Sequence, residues 1–279
     1  MPSDISFRKM HGAGNDFIMI EDRAGTFAPG SELIAFLCER HRGIGADGMI
    51  LLRSSTTADF RMLYFNSDGG EARMCGNGAR CAARFALDIG VAGPRMTFET
   101  AAGRVHARVE RDVVSVAVGP VTGLRLAIAI PGVEGEVGFA DSGVPHAALF
   151  VDDARAPSRD SFLRTARMIR SFDGFGPEGA NANLVTVTGE RSLVYRTYER
   201  GVEDETLACG TGAIAASVIA ASLGLVEPPV ACETSGGDLL TVSFEPVEGG
   251  ASSVILAGPA ATSFKGTFDP GVFGPGCSS

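Results

Sequence analysis

Apolar residues in this chain fall mostly into short runs flanked by Gly, Asp, Ser or Thr, the pattern of strands joined by tight turns. Strands are predicted over 17–20 (FIMI), 49–52 (MILL), 59–65 (DFRMLYF), 96–100 (MTFET), 105–110 (VHARVE), 113–118 (VVSVAV), 147–151 (AALFV), 184–187 (LVTV), 193–198 (LVYRTY), 230–234 (VACET) and 241–244 (TVSF). Helical periodicity is rarer. One short helix fits 31–40, with Ser31 as N-cap and Leu33, Ile34, Leu37 and Cys38 on an apolar face. Two more fit the alanine-rich runs after Cys75 and Cys209, each opening on Cys-Gly-x-Gly and stopping at a glycine, Gly90 or Gly224.

Those two runs are related to each other. A shift of 134 residues lays 71–103 over 205–237 without a gap, and 12 of the 33 positions agree, including Glu71/Glu205, Cys75/Cys209, Pro94/Pro228 and the Glu-Thr pairs at 99–100 and 233–234. Average composition gives roughly two or three such matches by chance. The chain therefore reads as a duplication, with the turn-rich stretch 119–124 (GPVTGL) as the junction between halves. A length of 279 residues with 45% apolar content is enough for two modest cores.

Charge and composition narrow the chemistry. The net charge of -9 argues against affinity for nucleic acid or an anionic membrane, and favours a small-molecule partner. No apolar run is long enough to span a bilayer and the N-terminal residues lack a secretory pattern, so the expected location is the cytoplasm. Six cysteines (38, 75, 81, 209, 232 and 277) in a chain of this size read as free thiols in a reducing compartment. Without a C-x-x-C pair, and with the four histidines scattered, no metal site is expected. Lys9 and Lys265 are the only lysines, which leaves few candidates for a pyridoxal-phosphate Schiff base; no cofactor is expected.

The paired cysteines carry the chemistry. At a helix start the first backbone N–H groups have no intrahelical partner and bind anions, and the same positive end lowers a thiol's pKa. Glycines beside the cysteine let a ligand carboxylate approach the backbone. If the halves face each other, two such helix starts flank one carboxylate, and two thiols flank its neighbouring carbon. One thiolate could then remove the α-proton while the opposite thiol delivers another, inverting the stereocentre, as the helix N–H groups stabilise the developing negative charge. Cys38, Cys81 and Cys232 read as buried small hydrophobes, and Cys277 as an exposed terminal thiol.

Motifs along almost the whole chain resemble the diaminopimelate epimerase family: KMHGAGNDF (9–17), HRGIGADG (41–48), FNSDGGEARMCGNGARC (65–81), DSGVPHAALFVDD (141–153), ANANLV (180–185), TYERGVEDETLACGTGA (197–213) and LAGPA (256–260). The resemblance implies that Cys75 and Cys209 are the catalytic pair, and that His146 and Glu199 line the reaction centre and help set thiol protonation. It implies that Gly76, Asn77, Gly210 and Thr211 hold the reacting carboxylate. Asn15, Asn66, Asn181 and Arg200 would recognise the substrate, Arg200 by pairing with a distal carboxylate. Read without the resemblance, Asn15 and Asn66 suit turns, His146 suits a core and Glu199–Arg200 a solvated pair. The implied fold is α/β (α+β): two pseudo-symmetric domains, each a mixed, largely antiparallel sheet curled around a central helix. The halves would be 1–121, joined by 264–279, and 122–263. The family also implies a homodimer.

Val144 departs from the family, many of whose members have Asn there, so the distal substrate group is less firmly specified than the inversion chemistry. Gly48 stands where some members carry Gln, and Ser235 where Pro is common. Three alternatives stay open: a racemase of another amino acid of the proline, hydroxyproline or histidine type, a thiol–disulfide redox protein, and a non-enzymatic carboxylate-binding protein.

Overall fold

The structure is a computed structural model that describes residues 4–271. Cys277 lies outside the described residues, as does the end of the terminal segment. The chain forms two compact units, one from residues up to Val116 together with those from Pro259 onward, the other from Ala117 to Gly258.

In the first unit the strands are β1 (Ile5–Gly12), β2 (Asn15–Glu21), β3 (Gly48–Arg53), β4 (Phe60–Asn66), β5 (Glu71–Ala72), β6 (Arg95–Thr100), β7 (Gly103–Glu110) and β8 (Val113–Ala117). Helix α1 (Ser31–Cys38) joins β2 to β3, and α2 (Gly76–Asp88) joins β5 to β6. The second unit holds β9 (Thr122–Ala129), β10 (Glu136–Asp141), β11 (Pro145–Phe150), helix α3 (Arg159–Arg170), β12 (Asn181–Gly189), β13 (Ser192–Glu199), β14 (Asp204–Thr206), helix α4 (Gly210–Ser222), β15 (Val230–Glu233), β16 (Leu239–Val247) and β17 (Gly250–Pro259). The last strand, β18 (Ala261–Phe268), pairs antiparallel with β1 in the first unit.

The topology repeats. In one unit the order is β18-β1-β2-β3-β4-β6-β7-β8, with β5 hanging on β4; in the other it is β9-β10-β11-β12-β13-β15-β16-β17, with β14 on β13. Each has parallel pairs at the same two places, β2/β3 and β4/β6 in one, β11/β12 and β13/β15 in the other, and is antiparallel elsewhere. The duplication read from 33 residues thus extends over the whole of each unit.

Local composition explains the elements. The continuous apolar runs of β2 and β3 are buried on both faces, as a parallel pair covered by helices requires, whereas β7 alternates buried and exposed residues and keeps one face in water. Helices α2 and α4 lie against the sheets and stop where expected: Gly90 and Gly224 follow them at φ 72° and 73°, the left-handed conformation that only glycine adopts without strain.

Three local expectations need correction. Helix α1 ends at Cys38, not at residue 40, and its N-cap is Gly30, which makes no side-chain cap bond; Ser31 is already the first helical residue. The 119–124 stretch is not all turn, since Thr122 begins β9, whose path is bent at Gly123 (φ 66°) and Ala127 (φ 57°). Helix α3 was not expected, although Ser158 caps it through Ser161 N–H and Phe162, Leu163, Ala166 and Ile169 form a buried stripe at helical spacing.

Candidate active site

Cys75 and Cys209 occupy the same position, each the N-cap of a 13-residue central helix with extended backbone (φ -136°, ψ 125° and φ -122°, ψ 107°). In α2 the Gly78 N–H points at the Cys75 sulfur, 3.5 Å away, so the cysteine caps its own helix. A Cβ on Gly78 would lie 2.9 Å from Ile50 Cδ1, and one on Gly212 would lie 2.8 Å from Asn183 Oδ1 and 2.9 Å from Thr197 Oγ1. The second glycine of each Cys-Gly-x-Gly is therefore where the helix start rests on the sheet. The residues beneath are equivalent by register, because Ile50 faces Tyr64 across β3/β4 as Asn183 faces Thr197 across β12/β13.

Around Cys75 a small polar cluster is held from the rim by ions. Asn15 Oδ1 accepts from the Cys75 thiol (3.6 Å) and from Asn77 Nδ2 (3.3 Å), and Asn15 Nδ2 donates to Asp47 Oδ2 (2.7 Å). Asp47 also accepts from Arg40 (2.7 Å), which bridges to Asp16 (3.0 Å), itself paired with the buried Lys9 (2.8 Å). Burial works against the Asp16 carboxylate, but hydrogen bonds from Arg40 and Lys9 outweigh it and hold its pKa at about 2. Asn77 Oδ1 accepts from Arg80 Nη2 (2.8 Å); Arg80 is wholly buried, a guanidinium inside the first turns of α2.

Around Cys209 the polar groups are neutral and deeper. His146, on β11, is fully buried: its Nδ1 meets Asn183 Nδ2 at 3.1 Å and its Nε2 meets Thr211 Oγ1 at 2.9 Å. Thr211 Oγ1 is 3.4 Å from the Cys209 sulfur, Thr197 Oγ1 donates to Asn183 Oδ1 (2.7 Å), and Tyr195 Oη donates to the Cys209 carbonyl (2.9 Å). Burial, then the charge of Arg200, leave His146 with a pKa lowered to about 3, so the ring is neutral. Glu199, at the end of β13, accepts from Thr206 Oγ1 (2.7 Å) and carries its charge beside Cys209.

The Cys209 thiol differs from the simple helix-start expectation. Burial, then the charge of Glu199, push the Cys209 thiol well up, while hydrogen bonds from Thr211 and the Gly212 amide pull it down without overcoming the rise. Cys209 is thus a thiol with a carboxylate next to it, not a thiolate. Cys38, Cys81 and Cys232 are each pushed up to about 12, chiefly by burial, and are inert.

Of the residues singled out from sequence, the first unit brings Asn15, Cys75, Gly76 and Asn77 together, and the second brings His146, Asn181, Glu199, Cys209, Gly210 and Thr211 together. Arg200 anchors on Asn181, whose Oδ1 accepts its backbone N–H (2.7 Å), and turns its guanidinium to Glu178 (2.8 Å). Asn66 stays apart: it ends β4 on an exposed turn closed by its own backbone, outside the hydrogen bonds joining Asn15, Cys75 and Asn77. The sequence reading missed Arg80, Asn183 and Thr197. An arginine within a buried alanine-rich helix, where the other copy has Ile214, was the available signal for Arg80; nothing local marks the other two.

A family profile described as diaminopimelate epimerase matches residues 7–124 and 138–260. The chain is 42% identical over 270 residues to a diaminopimelate epimerase of Archaeoglobus fulgidus, covering 90% of this chain and 94% of that one, and 38% identical over 254 residues to that of Aquifex aeolicus, covering 86% and 90%. Among solved structures it is similar to a probable proline racemase from Agrobacterium radiobacter with bound carbonate (TM-score 0.73, 16% identity, 97% and 94% covered). It is also similar to a hydroxyproline epimerase from Agrobacterium vitis with bound trans-4-hydroxy-L-proline (0.70, 19%, 97% and 94%). The solved structures share the fold; the sequence match spans both cysteine-capped halves, and on that ground the chain belongs to the diaminopimelate epimerase family.

Proposed function

We propose that this chain interconverts LL- and meso-diaminopimelate without a cofactor, one of Cys75 and Cys209 removing the α-proton as a thiolate while the other, as a thiol, delivers its own proton to the opposite face. The observation that carries the reading is the matched pair of N-cap cysteines, each at the amino end of a central helix, where the helix dipole favours a carboxylate. Inversion needs one thiolate and one thiol at once, reaching the α-carbon from opposite faces. Glu199 is the base suited to take the Cys209 proton, and the Thr211 hydroxyl and Gly212 amide would then hold the sulfur anion. Thiolate takes the α-proton, the carbanion's charge spreads into the carboxylate, the helix N–H groups of Gly76, Asn77, Gly210 and Thr211 stabilise it, and the other thiol reprotonates the carbon. Asn15, Asn66, Asn181 and Arg200 are assigned to substrate recognition, with Glu178 giving up Arg200 when a distal carboxylate arrives.

The family relationship supports a place in lysine and cell-wall precursor synthesis. We further infer a cytoplasmic homodimer; free thiols at five described cysteines are compatible with a reducing compartment, and among the described residues no helix is long and apolar enough to cross a membrane. The test is to incubate reduced protein with LL-diaminopimelate in deuterated water, without pyridoxal phosphate, and follow deuterium entering the α-position. Exchange lost in Cys75→Ser and in Cys209→Ser supports the two-thiol mechanism; exchange unchanged in both rejects it. Proline, histidine and glutamate run in parallel report on substrate class, which Val144 leaves as the point to check.

A further inference from the structure

We propose that Asn183 and Thr197 are a positioning pair that fixes His146 in its Nε2–H tautomer and thereby directs a hydrogen bond through Thr211 onto the sulfur of Cys209. The inference rests on the reading of Cys209 as a proton-transferring thiol, but its structural half stands without it.

The direction of each bond follows from what each atom can do. Asn183 Nδ2 is 2.9 Å from the Ala147 carbonyl, which only accepts, so the amide nitrogen is on that side. The Thr197 hydroxyl, at 2.7 Å, donates to Asn183 Oδ1 and locks the flip. The remaining Asn183 N–H then points at His146 Nδ1, 3.1 Å away, which must accept. A neutral ring that accepts at Nδ1 carries its proton on Nε2, and Thr211 Oγ1 at 2.9 Å receives it. Having accepted there, Thr211 has its own proton to give, and Cys209 Sγ is 3.4 Å away. The other tautomer would place an Nδ1–H against an N–H in a fully buried site, leaving a desolvated donor without an acceptor. Asn181 Nδ2, 3.3 Å from Nε2, is engaged by the Pro145 carbonyl (3.1 Å) and supplies no acceptor.

The duplicate half is an internal control. The same register positions there hold Ile50 and Tyr64, and counting two residues back along β3 and β12, then across to β2 and β11, Phe17 stands where His146 does. Phe17 and Tyr64 pack edge to face at 5.9 Å. The same strand positions are thus filled by Ile50, Tyr64 and Phe17 in the other half without this amide–hydroxyl–imidazole chain, and burying Asn183 and Thr197 serves the group above them. Neither touches the sulfur, so they act through His146 and Thr211.

The experiment is nitrogen-15 NMR of the histidine rings at neutral pH, with His146→Gln assigning the signal, alongside α-deuterium exchange kinetics. The wild-type ring should show Nε2–H. Asn183→Asp should accept from Nδ1 and switch the ring to Nδ1–H, with kcat falling about 100-fold or more and KM little changed, because the group lost acts on proton transfer. Thr197→Val should release the lock and lower kcat, and Thr197→Ser should restore both tautomer and rate. An Nδ1–H ring in the wild type, or Thr197→Val and Thr197→Ser behaving alike, overturns the proposal. Absence of exchange in the wild type would instead remove the proposed function while the tautomer remained readable.

Discussion

The surroundings of Cys75 and Cys209 solve the same construction problem in opposite ways. Both cysteines stand at the N-cap of a helix that rests on a sheet through a glycine, yet below Cys75 lie Ile50, Tyr64 and Phe17, with polarity supplied from the rim by Asn15 and from within the helix by Arg80. Below Cys209 the sheet itself is polar, and the helix start touches Asn183 and Thr197 with neutral His146 between. Charge surrounds one thiol at the edge, and hydrogen bonds without net charge support the other from beneath, with Glu199 alone charged beside it. A symmetric fold thus presents two unlike thiols, which a reaction requiring one acid and one base at any moment can use.

The largest effect should come from the sulfurs. Cys75→Ser and Cys209→Ser are each expected to lower epimerisation by about 10³-fold or more, and the double variant should lose little beyond either single one, since the pair acts as a unit. Strictly additive losses, measured as kcat/KM in both directions, would separate the halves and break the comparison.

Next in size is acid sensitivity from His146. The folded ring resists protonation down to about 3 while an unfolded histidine takes a proton near 6.5, so the unfolded state holds the extra proton throughout that window and stability falls as pH drops through it. His146→Gln should flatten that part of the denaturation curve by on the order of a few kcal/mol. An unchanged pH profile by urea denaturation would show that the ring is not buried neutral.

The glycines give a smaller, sharper contrast. At Gly212 a methyl group meets two hydrogen-bonded atoms under 3 Å away, whereas at Gly78 it meets the free end of Ile50. Gly212→Ala is expected to cost about 1–3 kcal/mol and Gly78→Ala clearly less, read as Tm by calorimetry. Equal costs would mean that the polar pair yields as easily as an isoleucine methyl.

Smallest is the rim. Removing one partner of Asp16 by Arg40→Met should raise the carboxylate's pKa from about 2, shifting upward the pH below which stability is lost, between about 4 and 2, by roughly a few tenths of a kcal/mol because Arg40 is more than half exposed. Acid titration monitored by circular dichroism would detect it; no change would assign the network to Lys9 alone.

What could be read without coordinates was whatever depends on near neighbours in the chain. The Cys-Gly-x-Gly openings, the glycine stops at Gly90 and Gly224 and the repeated order of elements follow from helix capping and backbone freedom, which act within one or two turns. Even there Ser31 misled, because a preferred capping residue one position into a helix looks like a cap in sequence. Asn183 and Thr197 were invisible because a strand pair is set by register, and residues 14 apart meet only when β12 and β13 align. The burial of Arg80 and the upward push on Cys209 depend likewise on how much water the packed sheet and helix exclude. Local sequence determined the two thiols and the helix starts that hold them; tertiary packing alone decided how unlike they are, since desolvation and cross-strand hydrogen bonds exist only once distant segments have met.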